Sequence, residues 1–236
     1  MRRKYLRIGA LVAVMVGSLA LPAFAQQQPT VAERVASLKA TLAESQMVLR
    51  KYEWIETTVV SLKGEEKSRK QERCYYGADG KLMKVLLTQS APESTKRGLR
   101  GKIAEKKKEE LTGYMQEAVS LVRRYVPPDP ARIQAAKDAG KVAIQLTEPG
   151  KRARLTFSDY LKSGDSLALD VDLTNNHPLA ANVNSYLDSE KEPVTLAVTL
   201  GTLNDGTTYV SGAVLDAKGK NLKVTVENSG YRKVTQ

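Results

Sequence analysis

Hydrophobic periodicity divides the chain into alternating blocks. Between Val31 and Leu49 apolar residues recur at Val31, Val35, Leu38, Leu42, Met47 and Leu49, a spacing that keeps most of them on one face of a helix. Thr30-Val31-Ala32-Glu33 opens this run in the T-x-x-E form of a capping box, so the pattern predicts a helix over about 31–50. The period then changes. Residues 52–62 are rich in aromatic and β-branched side chains (Trp54, Ile55, Thr57, Thr58, Val59, Val60) and read as a strand. Lys63-Gly64-Glu65-Glu66 reads as a turn, 69–76 as a second strand of polar character, Gly77-Ala78-Asp79-Gly80 as a hairpin and 81–88 as a third strand. This is a three-stranded meander.

The middle of the chain returns to helical spacing. Leu99, Ile103, Leu111, Tyr114, Ala118, Leu121, Val122 and Tyr125 trace an apolar stripe, predicting two or three helices interrupted near Gly113. Val126-Pro127-Pro128-Asp129-Pro130 stops them, because proline lacks the amide proton a helix interior needs. A short helix over 131–139 then ends at Gly140.

From Lys141 onward the period is two. Strands are expected at 141–147, 151–160, 166–174, 179–188, 193–202, 207–216 and 220–227, separated by turn residues such as Glu148-Pro149-Gly150 and Asn204-Asp205-Gly206. Leu167, Leu169, Val171 and Leu173 alternate with Ala168, Asp170 and Asp172. Val194, Leu196, Val198 and Leu200 do the same, as do Leu222, Val224 and Val226. One polar and one apolar face mark an antiparallel sheet that is wet on one side. The expected fold class is α+β, with the helices at 31–50 and 98–139 covering the apolar face.

The N-terminus adds location. Met1-Arg2-Arg3-Lys4-Tyr5-Leu6-Arg7 is basic, Ile8 to Leu21 is apolar, and Pro22-Ala23-Phe24-Ala25 ends in an A-x-A site. The apolar run of 14 residues is shorter than the roughly 20 that span a bilayer. Cleavage after Ala25 is expected. It leaves residues 26–236 as one periplasmic or secreted domain without a transmembrane segment. Taking the leader's four basic residues from the formal charge of +11 leaves +7 on the mature chain. Outside the cytoplasm that balance points to anionic lipid headgroups, an anionic membrane surface or acidic proteins as partners, not to nucleic acid. Lys96 to Lys108 holds seven basic residues against one glutamate, a solvated helix face or an anion-binding patch.

The chemistry-bearing residues are few. His177 is the only histidine, in the turn-like Thr174-Asn175-Asn176-His177-Pro178, and Cys74 is the only cysteine, within the second strand. No metal site of the usual His and Cys kind and no phosphate-binding fingerprint can be assembled from this set, and a Ser–His or Cys–His pair would have to use this one turn histidine. A carboxylate pair brought together by folding would leave no mark in the sequence and stays open; otherwise no catalytic residue, no metal and no cofactor is expected, and Cys74 is expected to be a buried, unreactive thiol.

Leader, first helix, a meander opening with Tyr52-Glu53-Trp54-Ile55-Glu56-Thr57-Thr58, mid-chain helices and a long antiparallel run together resemble the LolA/LolB-like superfamily of envelope proteins. The Pro-Gly-x-Phe-Arg-Trp segment typical of that superfamily's lipoprotein carriers is absent, and 69–76 is more polar than its counterpart. The resemblance implies an incomplete, strongly curved β-barrel with an apolar inner surface lidded by helices. It also implies binding of lipid or of lipoprotein acyl chains in the space between. Trp54, Leu111, Tyr114, Leu169, Val171, Leu196 and Val198 are the candidate lining. The alternative is a non-enzymatic structural or regulatory interaction module of the cell envelope that uses the same fold without a small ligand.

Overall fold

The computed structural model describes residues 31–90, 99–175 and 177–234. The leader and its cleavage site lie outside the described residues, as do Lys96, Arg97 and Gly98 of the basic block. The elements run α1 (Val31–Leu49), β1 (Tyr52–Leu62), β2 (Glu65–Tyr76), β3 (Leu82–Ser90), α2 (Leu99–Val122) and α3 (Pro130–Asp138). Then follow β4 (Val142–Glu148), β5 (Arg152–Ser158), β6 (Ser166–Asp172), β7 (His177–Tyr186), β8 (Pro193–Thr202), β9 (Thr208–Ala217) and β10 (Leu222–Lys233).

The ten strands among the described residues form one antiparallel, open, curved sheet in the order β3-β2-β1-β10-β9-β8-β7-β6-β5-β4. The α+β expectation is met. Strands β4 to β10 form a continuous meander, and β10 returns to pair with β1 along its whole length. One connection joins strands that are not neighbours. It leaves β3 at one free edge, passes through α2 and α3, and reaches β4 at the other.

The inner face follows from period two. Leu155 and Phe157 on β5, Leu167, Leu169 and Val171 on β6, Ala181 and Val183 on β7, and Val198 on β8 form one buried cluster with Leu38 of α1, Ile133 and Ala136 of α3, Tyr125 and Tyr160. A second cluster packs Tyr114, Ala118 and Val122 of α2 on Val194, Leu215, Ala217 and Leu222, with Val60 and Val224 half-buried beside it. Burial of this kind contributes about 25 cal/mol per Å² of apolar surface, and it is what holds the helices down.

Four local expectations need correction. The mid-chain segment is one helix that runs through Gly113; no atom lies near where its Cβ would be, and a helical glycine costs only about 1 kcal/mol when neighbours pack. The turn after β1 is the two residues Lys63-Gly64, both at positive φ (55° and 83°), so β2 starts at Glu65, inside the expected turn. Strand β10 continues to Lys233, past the polar Asn228-Ser229-Gly230 that reads as an ending, because a register shift against β1 absorbs that segment. His177 opens β7 opposite Asp172, its backbone N–H donating to Asn175 Oδ1 at 3.0 Å, so it belongs to a strand and not to the turn. Two members of the expected helical stripes are also left out of the core: Met47 and Ile103 are exposed.

Candidate functional site

Strand β1 decides what its aromatic residues face. Val60 packs toward the α2 cluster, and period two carries Thr58, Glu56, Trp54 and Tyr52 to the same inner side. Trp54 is buried, its ring stacked on Tyr231 (centroids 5.4 Å apart, 12° between planes) and tilted against Tyr76 at 6.0 Å. Its indole N–H donates to Asn228 Oδ1 at 3.1 Å, which satisfies its one polar atom. Tyr209 continues the group at 4.4 Å from Tyr231. Burial, more than any neighbouring charge, pushes the Tyr231 hydroxyl well above the ordinary phenol range.

Cys74 lies opposite Trp54 in the β1–β2 ladder and is fully buried, as expected. Burial first, then the Glu56 carboxylate, raises its thiol to about 11. Beyond it the inner face turns polar. Glu56 pairs with Lys84 at 2.5 Å, and the buried Glu72 pairs with Lys70 at 3.0 Å. On the outer strands apolar side chains lie exposed: Leu82 and Leu86 on β3, Ile144 and Leu146 on β4.

The seven candidate lining residues therefore fall in three places. Leu169, Val171 and Val198 are in the cluster under α1 and α3; Tyr114 is in the cluster under α2, and Leu196 packs against both. Leu111 is half-buried on α2, about one turn before Tyr114. Trp54 belongs to the separate aromatic group at the β1–β10 end. The structure brings these residues to one side of the sheet but not to one empty space. Tyr125, Phe157, Ile133, Leu167 and Val183 fill the volume between the helices and the central strands.

Polar contacts that periodicity alone did not pair hold the cover in place. Tyr125 donates its hydroxyl proton to the buried Asp165 Oδ2 at 2.5 Å and lies 2.7 Å from Ser185 Oγ. Asp165 also accepts from the backbone N–H of Leu161 and Lys162. The Thr208 N–H donates to Ser45 Oγ of α1 at 3.0 Å, and Glu110 of α2 pairs with Lys220. Apart from the two local bonds within the Asp165 turn, 40 to 163 positions separate these partners, so no local signal could have paired them. Of the basic block, Lys102, Lys106, Lys107 and Lys108 are exposed on α2, interleaved with Glu105, Glu109 and Glu110.

Among the described residues no group of three or more His, Cys, Asp or Glu side chains is placed to hold a metal ion, and no helix is long and apolar enough to cross a membrane. No protein-family model and no curated protein matches the chain. Solved structures are similar to it over most of their length, three of them as follows. A LolA superfamily protein from Nitrosomonas europaea is 11% identical over 84% of this chain and 94% of that one, with a TM-score of 0.34. A DUF1329 family protein from Desulfovibrio piger is 11% identical over 85% and 93%, with a TM-score of 0.37. An outer membrane lipoprotein-sorting protein domain from Vibrio parahaemolyticus is 9% identical over 85% and 94%, with a TM-score of 0.34.

Proposed function

We propose that this is an exported envelope protein whose leader is removed after Ala25, and whose residues 26–236 form a single half-barrel domain that binds the acyl chains of a lipid or lipoprotein under its helices. One observation carries the reading. The cover over the apolar inner face is a helical strap running from one free edge of the sheet to the other, held by side-chain packing and a few polar latches and not by strand pairing. Such a cover can separate from the sheet without breaking the ladder. The inner apolar surface then continues outward to Ile144 and Leu146 on β4, which lie exposed beyond the helices. Each buried methylene contributes about 0.8 kcal/mol, so a chain of roughly ten could offset the cost of lifting part of the strap. The role is binding and not catalysis, and it needs no cofactor.

The second reading, an interaction module without a small ligand, is favoured by the filled core beneath α1 and α3. Emission of the single tryptophan separates the two. A lysophospholipid should shift Trp54 emission saturably, and the shift should weaken in Val198→Asp or Val171→Asp variants that keep a native circular dichroism spectrum. Native mass spectrometry after mild purification should find lipid bound. An unmoved spectrum with no lipid retained would favour the module.

A further inference from the structure

On the outer face of the sheet, opposite the apolar side, the β1–β10 ladder shifts register between Glu53 and Ile55. Trp54 on β1 faces the two residues Gly230 and Tyr231 on β10, so β10 bulges there. Gly230 takes the left-handed conformation that the bulge requires, at φ 65°. A cleft of about 260 Å³ opens over it, lined by Glu53, Trp54, Ile55, Arg73, Gly230 and Arg232. That volume suits a small polar group and is below the usual range for a drug-sized ligand.

Charge in the cleft is unbalanced. Glu53, whose side chain is 16% exposed, is hydrogen-bonded by Arg232 Nε; Arg73 Nη1 stands 3.9 Å from its other oxygen, beyond hydrogen-bond reach. Two guanidinium groups against one carboxylate leave one positive charge. Arg73 is held beside the Tyr75 ring at 5.5 Å, and its Nε is buried without a hydrogen-bond partner. The Arg73 side chain as a whole is 43% exposed, so the rest of its guanidinium is reachable from solvent. Guanidinium forks match planar or tetrahedral oxyanions, which accept two parallel hydrogen bonds.

We propose that this cleft binds a monoanionic oxyanion, a carboxylate or a phosphodiester, through Arg73 and Arg232, with Glu53 setting the charge that is accepted. The site lies on the face opposite the acyl-binding surface and stands or falls independently of that reading. The test follows the Arg73 Nε–H resonance of the whole mature protein by nitrogen-15 NMR, with dimethyl phosphate and acetate as probes and inorganic phosphate as the more highly charged comparison. A saturable shift with at least one monoanion is expected, and which probe binds tighter separates phosphodiester from carboxylate. Binding, followed on the Gly230 amide, should weaken about tenfold in Arg73→Gln, and a similar loss should survive in Arg73→Lys, which keeps charge but not the fork. Arg232→Gln, at a position 73% exposed, repeats the test if the Arg73 variants fail to fold. Glu53→Gln should tighten binding several-fold, which a purely structural ion-pair triad would not do. A linear, unsaturable response, or equal affinity in all variants, overturns the proposal.

Discussion

Cys74 and Gly201 show how single positions are set by side chains on neighbouring strands. With its thiol raised from 9.0 to about 11 by burial and by Glu56, Cys74 at pH 8 carries about a hundredth of the thiolate of an ordinary cysteine. A disulfide reagent at pH 8 should therefore label native protein at least about a hundredfold more slowly than denatured protein. Because the folded thiol pKa is raised, this group's contribution to stability is full below about pH 9 and is lost as pH climbs toward 11. Asp205 has the opposite sign. The Thr207 hydroxyl first, and the Tyr52 hydroxyl next, hold its carboxyl well below the ordinary range, so its contribution is present at neutral pH and lost as acid protonates it. At Gly201 an added Cβ would come within 2.8 Å of the Tyr209 ring. Gly201→Ala should push Tyr209 off Tyr231, cost about 1–3 kcal/mol in urea unfolding, and move Trp54 emission through the stack.

At the scale of elements, the strap depends on its latches. Tyr125 is fully buried and joins the end of α2 to the loop before β6 through Asp165, and to the end of β7 through Ser185. Tyr125→Phe keeps the ring and removes the donor, leaving the buried Asp165 one partner short. Unfolding free energy should fall by about 1–3 kcal/mol with an unchanged denaturant slope. The start of α3 is capped by Asp129, whose Oδ1 accepts from the Ala131 N–H at 2.9 Å, with Pro130 following. Asp129→Ala should cost about 1 kcal/mol in the same assay. The persistence of α2 through Gly113 belongs here too. Helical propensity is a weak local preference, and burial of Tyr114, Ala118 and Val122 outweighs it.

Over the whole molecule, stability should be graded from the middle of the sheet to its edges. Strands β1, β10, β9 and β8 are paired on both sides and lie under the helices; β3 and β4 are paired on one side, and β3 is exposed along its whole length. Hydrogen exchange should therefore be fastest in β3 and β4 and slowest in β1, β10 and β8. Uniform protection across the ten strands would mean that the free edges are covered in solution. The strap spans those same edges, so under the proposed function its opening would expose the inner face while the central ladder stays paired.

What the chain's own pattern determined was the order and kind of its elements. The helical spacing of α1, the prolines after α2 and the period-two runs of β6, β8 and β10 are local features, and their backbone consequences are local as well. The α+β class and the wet-and-apolar sheet followed from the same alternation. Tertiary structure alone decided which side of β1 is inner, because a strand's two faces are equivalent until one is packed, and Val60 meeting the α2 cluster settles it for Trp54. It also decided that Asn228-Ser229-Gly230 is a bulge and not an end, since only pairing with β1 distinguishes the two. The assembly of Glu53, Arg73 and Arg232, and of Tyr125 with Asp165 and Ser185, joins residues that neighbour one another only once the sheet has formed. Periodicity reports which residues share a face; which faces meet is set by burial across the whole fold.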